Sequence, residues 1–212
     1  MAFIIRLPQP RTDLKFPLMK AISLRRTKRK WSDTVLSCQE IADLLWVACG
    51  VTHEETKRSK SRRTVPSACN SQEIKVYIAL HNGLFLYNEK EHCLIGILPD
   101  DIRKHIGTQK MMQCAPAGLI YVSDFTRLKT FLFKDDNCKW FTSAADTGFI
   151  SQNVYLYCVA AGLSTAVLSL VDRNKLHKII GLNDNEKIIY TQAVGRPAET
   201  HKSQTVNHKY PA

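Results

Sequence analysis

The pattern of apolar and polar positions along the 212-residue chain predicts a mixture of helices and strands. Ser37-Cys38-Gln39-Glu40 has the form of a helix capping box, and apolar side chains follow at helical spacing until Gly50. Residues 74–80 alternate between apolar and other side chains, and Asn82-Gly83 is a hairpin signal that leads into a return strand at 84–87. Further strands are expected at 93–98, 117–122 and 187–194, with 117–122 at the centre of the sheet.

Three more helices are expected. They cover about 99–114, which carries Gln109; about 144–161; and a short segment between Asp172 and Gly181. The 144–161 helix is nearly apolar along its second half, which predicts burial on most of its sides. The connecting stretches 52–63 and 124–142 are interpreted as a charged loop and an insertion with scattered aromatic residues.

These elements predict one α+β domain over residues 1–198, with a mostly antiparallel central sheet flanked by helices and a long buried central helix. Residues 199–212 form a polar C-terminal tail. Apolar residues make up 44% of the chain and charged residues 23%, which is ordinary for a globular protein and excludes global disorder.

The formal net charge of +11 favours an anionic ligand. Much of the positive charge lies in two clusters, 20–30 and 57–63, and no DNA-recognition motif accompanies them. The seven cysteines are scattered without C-x-x-C or zinc spacing, so they are interpreted as reduced, mostly buried thiols of a cytoplasmic protein. No metal site is expected, and no apolar run reaches the roughly 20 residues of a membrane span.

The basic segment 23–31 contains Arg25, Thr27 and Arg29 two positions apart, which places them on one face of an extended chain. Two guanidiniums that flank a hydroxyl suit a phosphate dianion, because each guanidinium donates parallel charge-assisted hydrogen bonds. The same residues alone are also consistent with a solvated basic turn or a nucleic-acid patch.

Four blocks in order resemble the FMN-dependent nitroreductase family. They are the basic segment 23–31, Pro66-Ser67-Ala68-Cys69-Asn70, the run Asp146 to Asn153, and Ala193-Val194-Gly195-Arg196-Pro197. The resemblance covers about residues 7–197. The segments 7–10 and 63–68 are similar to the SagB-type thiazoline/oxazoline dehydrogenase branch of that family.

The resemblance implies an FMN site. The Arg25-Thr27-Arg29 pattern would grip phosphate and pyrimidine ring, the loop Pro66–Asn70 would border the flavin from a partner subunit, and Arg196 would add a second cation to the phosphate. A backbone N–H of Leu168 or Ser169 would approach flavin N5. The implied cofactor contacts are Arg25, Arg26, Thr27, Arg29, Pro66, Ser67, Ala68, Asn70, Gln109, Leu168, Ser169 and Arg196.

No catalytic side chain is expected, because in such a reaction the cofactor carries the chemistry. Asp146 and Asn153 are interpreted as structural residues of the long helix. The sequence departs from the family pattern after Asn70, where Gln72-Glu73-Ile74 replaces a frequent Gln-Pro-Trp.

The function implied is a homodimeric oxidoreductase that takes hydride from NAD(P)H and passes it to a nitroaromatic, a quinone or a similar acceptor by a ping-pong mechanism. A first alternative is oxidation of azoline rings in a modified peptide. Such dehydrogenases often carry a Lys-Tyr pair before the central helix, whereas this chain has Lys139-Trp140. A second alternative is a nonenzymatic basic binding module.

Overall fold

A seven-stranded antiparallel sheet organises the chain in the computed structural model, which describes residues 3–110, 114–129 and 133–198. The strands are β1 (Ile4–Arg6), β2 (Val51–His53), β3 (Arg62–Arg63), β4 (Ile74–Leu80), β5 (Gly83–Asn88), β6 (Cys93–Leu98), β7 (Ala117–Asp124), β8 (Ser164–Leu168) and β9 (Glu186–Gly195). The helices are α1 (Leu18–Leu24), α2 (Cys38–Cys49), α3 (Asp136–Ala160) and α4 (Arg173–Ile180). Short 3-10 turns lie at Ala68–Asn70, Arg103–His105 and Phe125–Arg127.

The large sheet has the order β1-β6-β5-β4-β7-β9-β8, and β2 pairs with β3 in a separate hairpin. β7 lies inside the sheet between β4 and β9, and all its residues except Asp124 are buried, so the expected central strand is confirmed. Tyr121 and the α3 residues Ile150 and Val154 belong to one core, whereas Ile120 belongs to a second core on the other face with Leu176 of α4. Helices therefore cover both faces of the sheet, which agrees with the predicted fold class.

The capping box before α2 is confirmed. The Ser37 hydroxyl accepts a hydrogen bond from the Glu40 backbone N–H, and the Glu40 carboxylate accepts one from the Ser37 backbone N–H. The start and end of α4 also agree with the sequence, since Asp172 caps its first turn and Gly181 closes it at φ 74°. Local signals were sufficient for these elements because each is closed by contacts within a few residues.

Two expectations about segments between the main elements were wrong. Residues 52–63 are not simply a loop, because β2 and β3 pair across them. Between residues 99 and 109 the only helical residues are those of the 3-10 turn Arg103–His105, so Gln109 is not on the expected helix. The segment 124–142, interpreted as an insertion, contains a small buried cluster of Phe125, Leu128 and Phe133 and ends inside α3. Phe131 lies outside the described residues.

The long helix begins at Asp136 rather than near Ala144, because the Asp135 carboxylate accepts the Cys138 backbone N–H and caps an earlier turn. From residue 153 to residue 160 every side chain of the helix is buried or half-buried, as predicted for its second half. Between Phe141 and Gln152 one side of the helix is exposed as a stripe. The stripe consists of Phe141, Ala145, Gly148, Phe149 and Gln152.

The cysteines are all free in the structure, but only Cys49, Cys93 and Cys158 are buried, so the expectation of mostly buried thiols was wrong. Burial raises the pKa of the Cys49 thiol to about 12, which keeps that side chain protonated. Among the described residues, no cluster of three His, Cys, Asp or Glu side chains is placed to hold a metal ion. None of the described helices is both long enough and apolar enough to cross a membrane.

Candidate functional site

The basic segment lies along the free edge of the sheet. The Lys28 backbone N–H donates to the Thr165 carbonyl at 3.1 Å, and the Trp31 indole N–H donates to the Ser164 carbonyl at 3.2 Å. Both carbonyls belong to β8, whose outer side has no neighbouring strand in the described sheet. The edge of β8 thus fixes residues 25–31, which follow α1 without regular structure apart from an isolated bridge at Trp31.

Tyr155 of α3 connects this segment to β8. Its hydroxyl lies 3.1 Å from the Thr27 hydroxyl and accepts the Val167 backbone N–H at 3.1 Å. The Arg25 guanidinium carbon lies 5.3 Å from the centre of the Tyr155 ring, within cation–π range. Arg25 and Thr27 therefore face the same aromatic side chain, as the spacing of two predicts, while Arg29 is exposed.

The positive charges of the segment are not neutralised by the protein. No ion pair joins Arg25, Arg26, Lys28, Arg29 or Lys30 to any acidic side chain of the described residues. Clustered cations repel one another, and an anion placed among them relieves that repulsion while it accepts their hydrogen bonds. The donor set around the Thr27 hydroxyl therefore fits a phosphate group.

Arg196 is brought to the same region by the backbone, since its carbonyl accepts the Ser32 N–H at 3.0 Å. Its side chain, however, is paired. One terminal nitrogen donates to both oxygens of the Glu40 carboxylate, at 2.8 and 2.9 Å. The remaining guanidinium N–H groups of Arg196 make no hydrogen bond with described residues, so a second cation contact to a bound anion stays a prediction.

Three further predicted residues lie at or near the end of β8. Leu168 is buried and pairs with Thr191 of β9, whereas the outward-facing backbone groups of β8 belong to Thr165 and Val167. β8 ends at Leu168, and exposed Ser169 follows it directly. Thr108 donates its backbone N–H to the Leu170 carbonyl at 3.1 Å, and this contact places exposed Gln109 near that end of the strand.

The loop Pro66–Asn70 is built around Asp146 of α3, whose carboxylate accepts the Ala68 N–H at 2.9 Å. The Ser67 hydroxyl accepts the Gln72 N–H at 2.9 Å, and the Asn70 side-chain amide donates to the Ser61 carbonyl at 3.0 Å. Cys69, Asn70 and Gln72 have φ values of 53°, 49° and 52°. Such left-handed backbone is unfavourable for residues other than glycine, so these bonds define one loop shape.

This loop and the basic segment do not meet through α3. Asp146 bonds to the loop, and Tyr155 bonds to the basic segment. Along the helix axis these two residues are about 13 Å apart, and about 2.5 helical turns separate them, so their side chains leave the helix on opposite sides. Asn153 fixes the same helix to the chain before the loop, because its amide donates to the carbonyls of Val47 and Thr64. Asp146 and Asn153 both bond to backbone, in line with a structural role.

A second carboxyl group is buried beside Asp146. Glu73 is fully buried and accepts the Ser71 hydroxyl at 2.7 Å with one oxygen, while its other oxygen has no hydrogen-bond partner in the described residues. Burial raises the pKa of Asp146 to about 7, and the nearby Glu73 carboxyl adds to the shift while the Ala68 N–H opposes it. Asp146 therefore retains its proton up to near neutral pH.

Sequence reasoning missed Tyr155. A signal was present, because a tyrosine in the middle of a nearly apolar helix has a hydroxyl that must find a partner when it is buried. What the sequence did not reveal was the identity of the partners, Thr27 and Val167.

Comparisons with known proteins identify the class. The model of the nitroreductase family matches residues 22–196, which include every predicted contact residue. A protein of Methanocaldococcus jannaschii named as a nitroreductase is 24% identical over 203 residues, which cover 88% of this chain and 98% of that protein.

Solved structures of similar proteins have the same fold. A nitroreductase-like protein of Ralstonia eutropha JMP134 is 32% identical with a TM-score of 0.83, over 93% of this chain and 90% of that one. A similar protein of Desulfovibrio desulfuricans, solved in complex with FMN, has a TM-score of 0.61 at 17% identity, over 93% of this chain and 99% of that one. This chain belongs to the nitroreductase family, and the family match supports an oxidoreductase.

Proposed function

We propose that the protein is an FMN-dependent oxidoreductase that is reduced by NAD(P)H and passes electrons to a nitroaromatic, a quinone or a similar organic acceptor by a ping-pong mechanism. The observation that carries this proposal is the set of unpaired cations around Thr27, held against the edge of β8. The FMN complex of the Desulfovibrio relative supports the same cofactor here.

The residues of this chain would bind and orient the cofactor. Arg25, Thr27 and Arg29 would hold its phosphate and pyrimidine end, and their positive charge would stabilise electron density gained there on reduction. A backbone N–H of Leu168 or Ser169 and the side chain of Gln109 would approach the ring from the end of β8. When bound, FMN supplies the ability to accept and return a hydride equivalent, which no side chain of the protein has.

The complete site would need two subunits. Pro66–Asn70 faces away from the basic segment of its own chain, so its predicted contact with flavin requires the loop of a partner. The exposed stripe of α3 supports a homodimer, because Phe141 and Phe149 are 80% and 48% exposed in the single chain. We include residues 1–198 in this catalytic unit and place it in the cytoplasm, where free cysteines persist.

Azoline oxidation is less well supported by the site. Lys139 pairs with exposed Asp136 and lies 5.6 Å from the Phe125 ring centre, and Trp140 packs edge-on against the same ring. Neither residue supplies the phenol that the Lys-Tyr pair of such dehydrogenases provides. The nonenzymatic alternative would leave the protein without flavin.

The first test is an absorbance spectrum of the purified protein, followed by anaerobic addition of NADH or NADPH. We expect flavin bands that bleach with one or both nucleotides, because the reduced ring loses its visible absorption. Bands that stay oxidised would contradict the NAD(P)H half-reaction and favour a peptide substrate as the reductant. Colourless protein that takes up no FMN would contradict the whole proposal.

A double variant tests the site. Arg25→Ala with Arg29→Ala removes two cations from the basic segment and should release FMN while unfolding stays cooperative. The matched control is Lys57→Ala with Arg58→Ala, which removes the same charge from exposed residues of the second basic cluster. Equal loss of FMN in both variants would show that net charge, rather than this segment, holds the cofactor.

A further inference from the structure

The Thr27 hydroxyl has one hydrogen-bond neighbour in the described protein, and either of the two oxygens could be the donor. Its only hydrogen-bond contact there is the 3.1 Å approach to the Tyr155 hydroxyl. The direction of that bond decides whether the Thr27 hydroxyl donates its proton to Tyr155 or can donate it to a ligand.

The backbone of β8 sets the direction. The Val167 N–H can only donate, and it donates to the Tyr155 oxygen at 3.1 Å. A phenol has one proton of its own, and once its oxygen accepts the Val167 N–H it is best satisfied by donating that proton elsewhere. Arg25, over the ring, has only donors, so the Thr27 oxygen is the acceptor within reach among the described residues.

A chain of donors follows, from the Val167 N–H through the Tyr155 hydroxyl to the Thr27 hydroxyl. Successive hydrogen bonds in such a chain polarise one another and strengthen the last donor. The Thr27 proton is then directed away from Tyr155, next to the Arg25 guanidinium, where an anionic oxygen would receive both.

We propose that Tyr155 is a positioning residue that orients the Thr27 hydroxyl as a donor to the phosphate of the bound cofactor. This proposal rests on the proposed function, since it takes FMN as the ligand. It assigns Tyr155 a role that depends on its hydroxyl, separate from the packing of its ring against Arg25.

The test is a double-mutant cycle on the Kd for FMN, measured by quenching of flavin fluorescence with apoprotein. Tyr155→Phe keeps the ring and removes the hydroxyl, and we expect it to weaken FMN binding roughly tenfold, the size of effect when a bond to a charged group loses its directing partner. In a Thr27→Ala background the same change should have no further effect. In a Thr27→Ser background, which keeps a hydroxyl, the tenfold loss should return.

Riboflavin, which lacks the phosphate, separates the two ends of the ligand. Tyr155→Phe should leave riboflavin affinity unchanged, and an equal loss for riboflavin and FMN would overturn the assignment of the proton to the phosphate. Tyr190→Phe on β9 is the matched control, because that hydroxyl makes no hydrogen bond with the described residues and its loss should not change FMN binding.

The outcomes distinguish a failure of the orienting role of Tyr155 from a failure of the proposed FMN-dependent function. If Tyr155→Phe costs as much FMN affinity with Thr27→Ala as without it, the two hydroxyls act independently and the orienting role is wrong. If the wild-type protein binds neither FMN nor riboflavin, the proposed function itself fails before the cycle begins.

Discussion

Two groups of polar side chains around α3 differ in whether each hydrogen-bonding atom has a partner. The Tyr155 hydroxyl is satisfied on both sides, by Val167 and Thr27.

The carboxyls of Asp146 and Glu73 are buried together without a cation between them. Arg127 and Arg63 donate to the carbonyls of Gln72 and Ile74, on either side of Glu73, rather than to its carboxylate. Burial and the neighbouring carboxyl therefore favour the protonated form of Asp146.

This pair predicts a pH dependence of folding stability. In the unfolded chain Asp146 titrates near the ordinary aspartate value of about 3.9, whereas burial raises its folded pKa to about 7. Between these values the folded state binds the extra proton, so this group makes the protein less stable as pH rises from about 4 to about 7.

Asp146→Asn should remove that component, because the amide cannot ionise and its carbonyl can still accept the Ala68 N–H. Urea unfolding at pH 5 and pH 8 should show a smaller fall in stability for the variant than for the wild type. The control, Asp33→Asn, changes an exposed carboxylate that makes no hydrogen bond with described residues. Parallel pH profiles for Asp146→Asn and the wild type would contradict a raised pKa.

At the scale of elements, the start of α2 links helix capping to the site. Glu40 closes the capping box with Ser37 and also holds Arg196, so one carboxylate serves the helix end and a predicted cofactor contact. The end of β9 is tightly packed, since a Cβ at Gly195 would lie 2.5 Å from Pro116 and 2.6 Å from Trp31. The position of the basic segment therefore depends on several elements that end at the same edge.

Ser37→Ala should lower the free energy of unfolding by about 1 kcal/mol, because the Glu40 N–H loses its capping acceptor. Ser37→Thr keeps the hydroxyl and should retain most of the stability. Cys38→Ala, at the next position and exposed, is the matched control and should have little effect. Equal stability of Ser37→Ala and Cys38→Ala in chemical denaturation would mean that the box does not stabilise α2.

At the scale of the whole molecule, two groups of predicted cofactor contacts lie on opposite sides of α3, the loop Pro66–Asn70 beside Asp146 and the pair Arg25 and Thr27 beside Tyr155. A helix presents opposite faces at residues 146 and 155, so one copy cannot bring both groups to the same ligand through that helix. The exposed stripe beside Phe149 offers the surface through which a second copy would supply the missing loop.

Phe149→Glu should convert the proposed homodimer to a monomer in light scattering, because it would place a charge in the proposed apolar interface. The same variant should lose FMN, since the loop of the partner would no longer reach the basic segment. Ile4→Glu is the control, because Ile4 is 58% exposed but lies on β1 at the other edge of the sheet. A Phe149→Glu protein that stays dimeric would move the interface elsewhere.

The sequence by itself determined α2, the β4–β5 hairpin, the central strand β7 and α4, because each is marked by a local period or a cap that acts within a few residues. It also determined the class of protein, through motifs whose order along the chain is the signal. It could not determine the true start of α3, where the acidic cap at Asp135 precedes a stretch without apolar periodicity.

Only the tertiary structure decided the contacts of the site. Thr27 and Tyr155 are 128 residues apart, and Arg196 and Glu40 are 156 apart, so no local pattern records their pairing. The separation of Pro66–Asn70 from Arg25 depends on which face of α3 each segment packs against. Hydrogen bonds between distant segments are selected by the packing of the sheet edge and helices, and that packing has no periodic trace in the sequence.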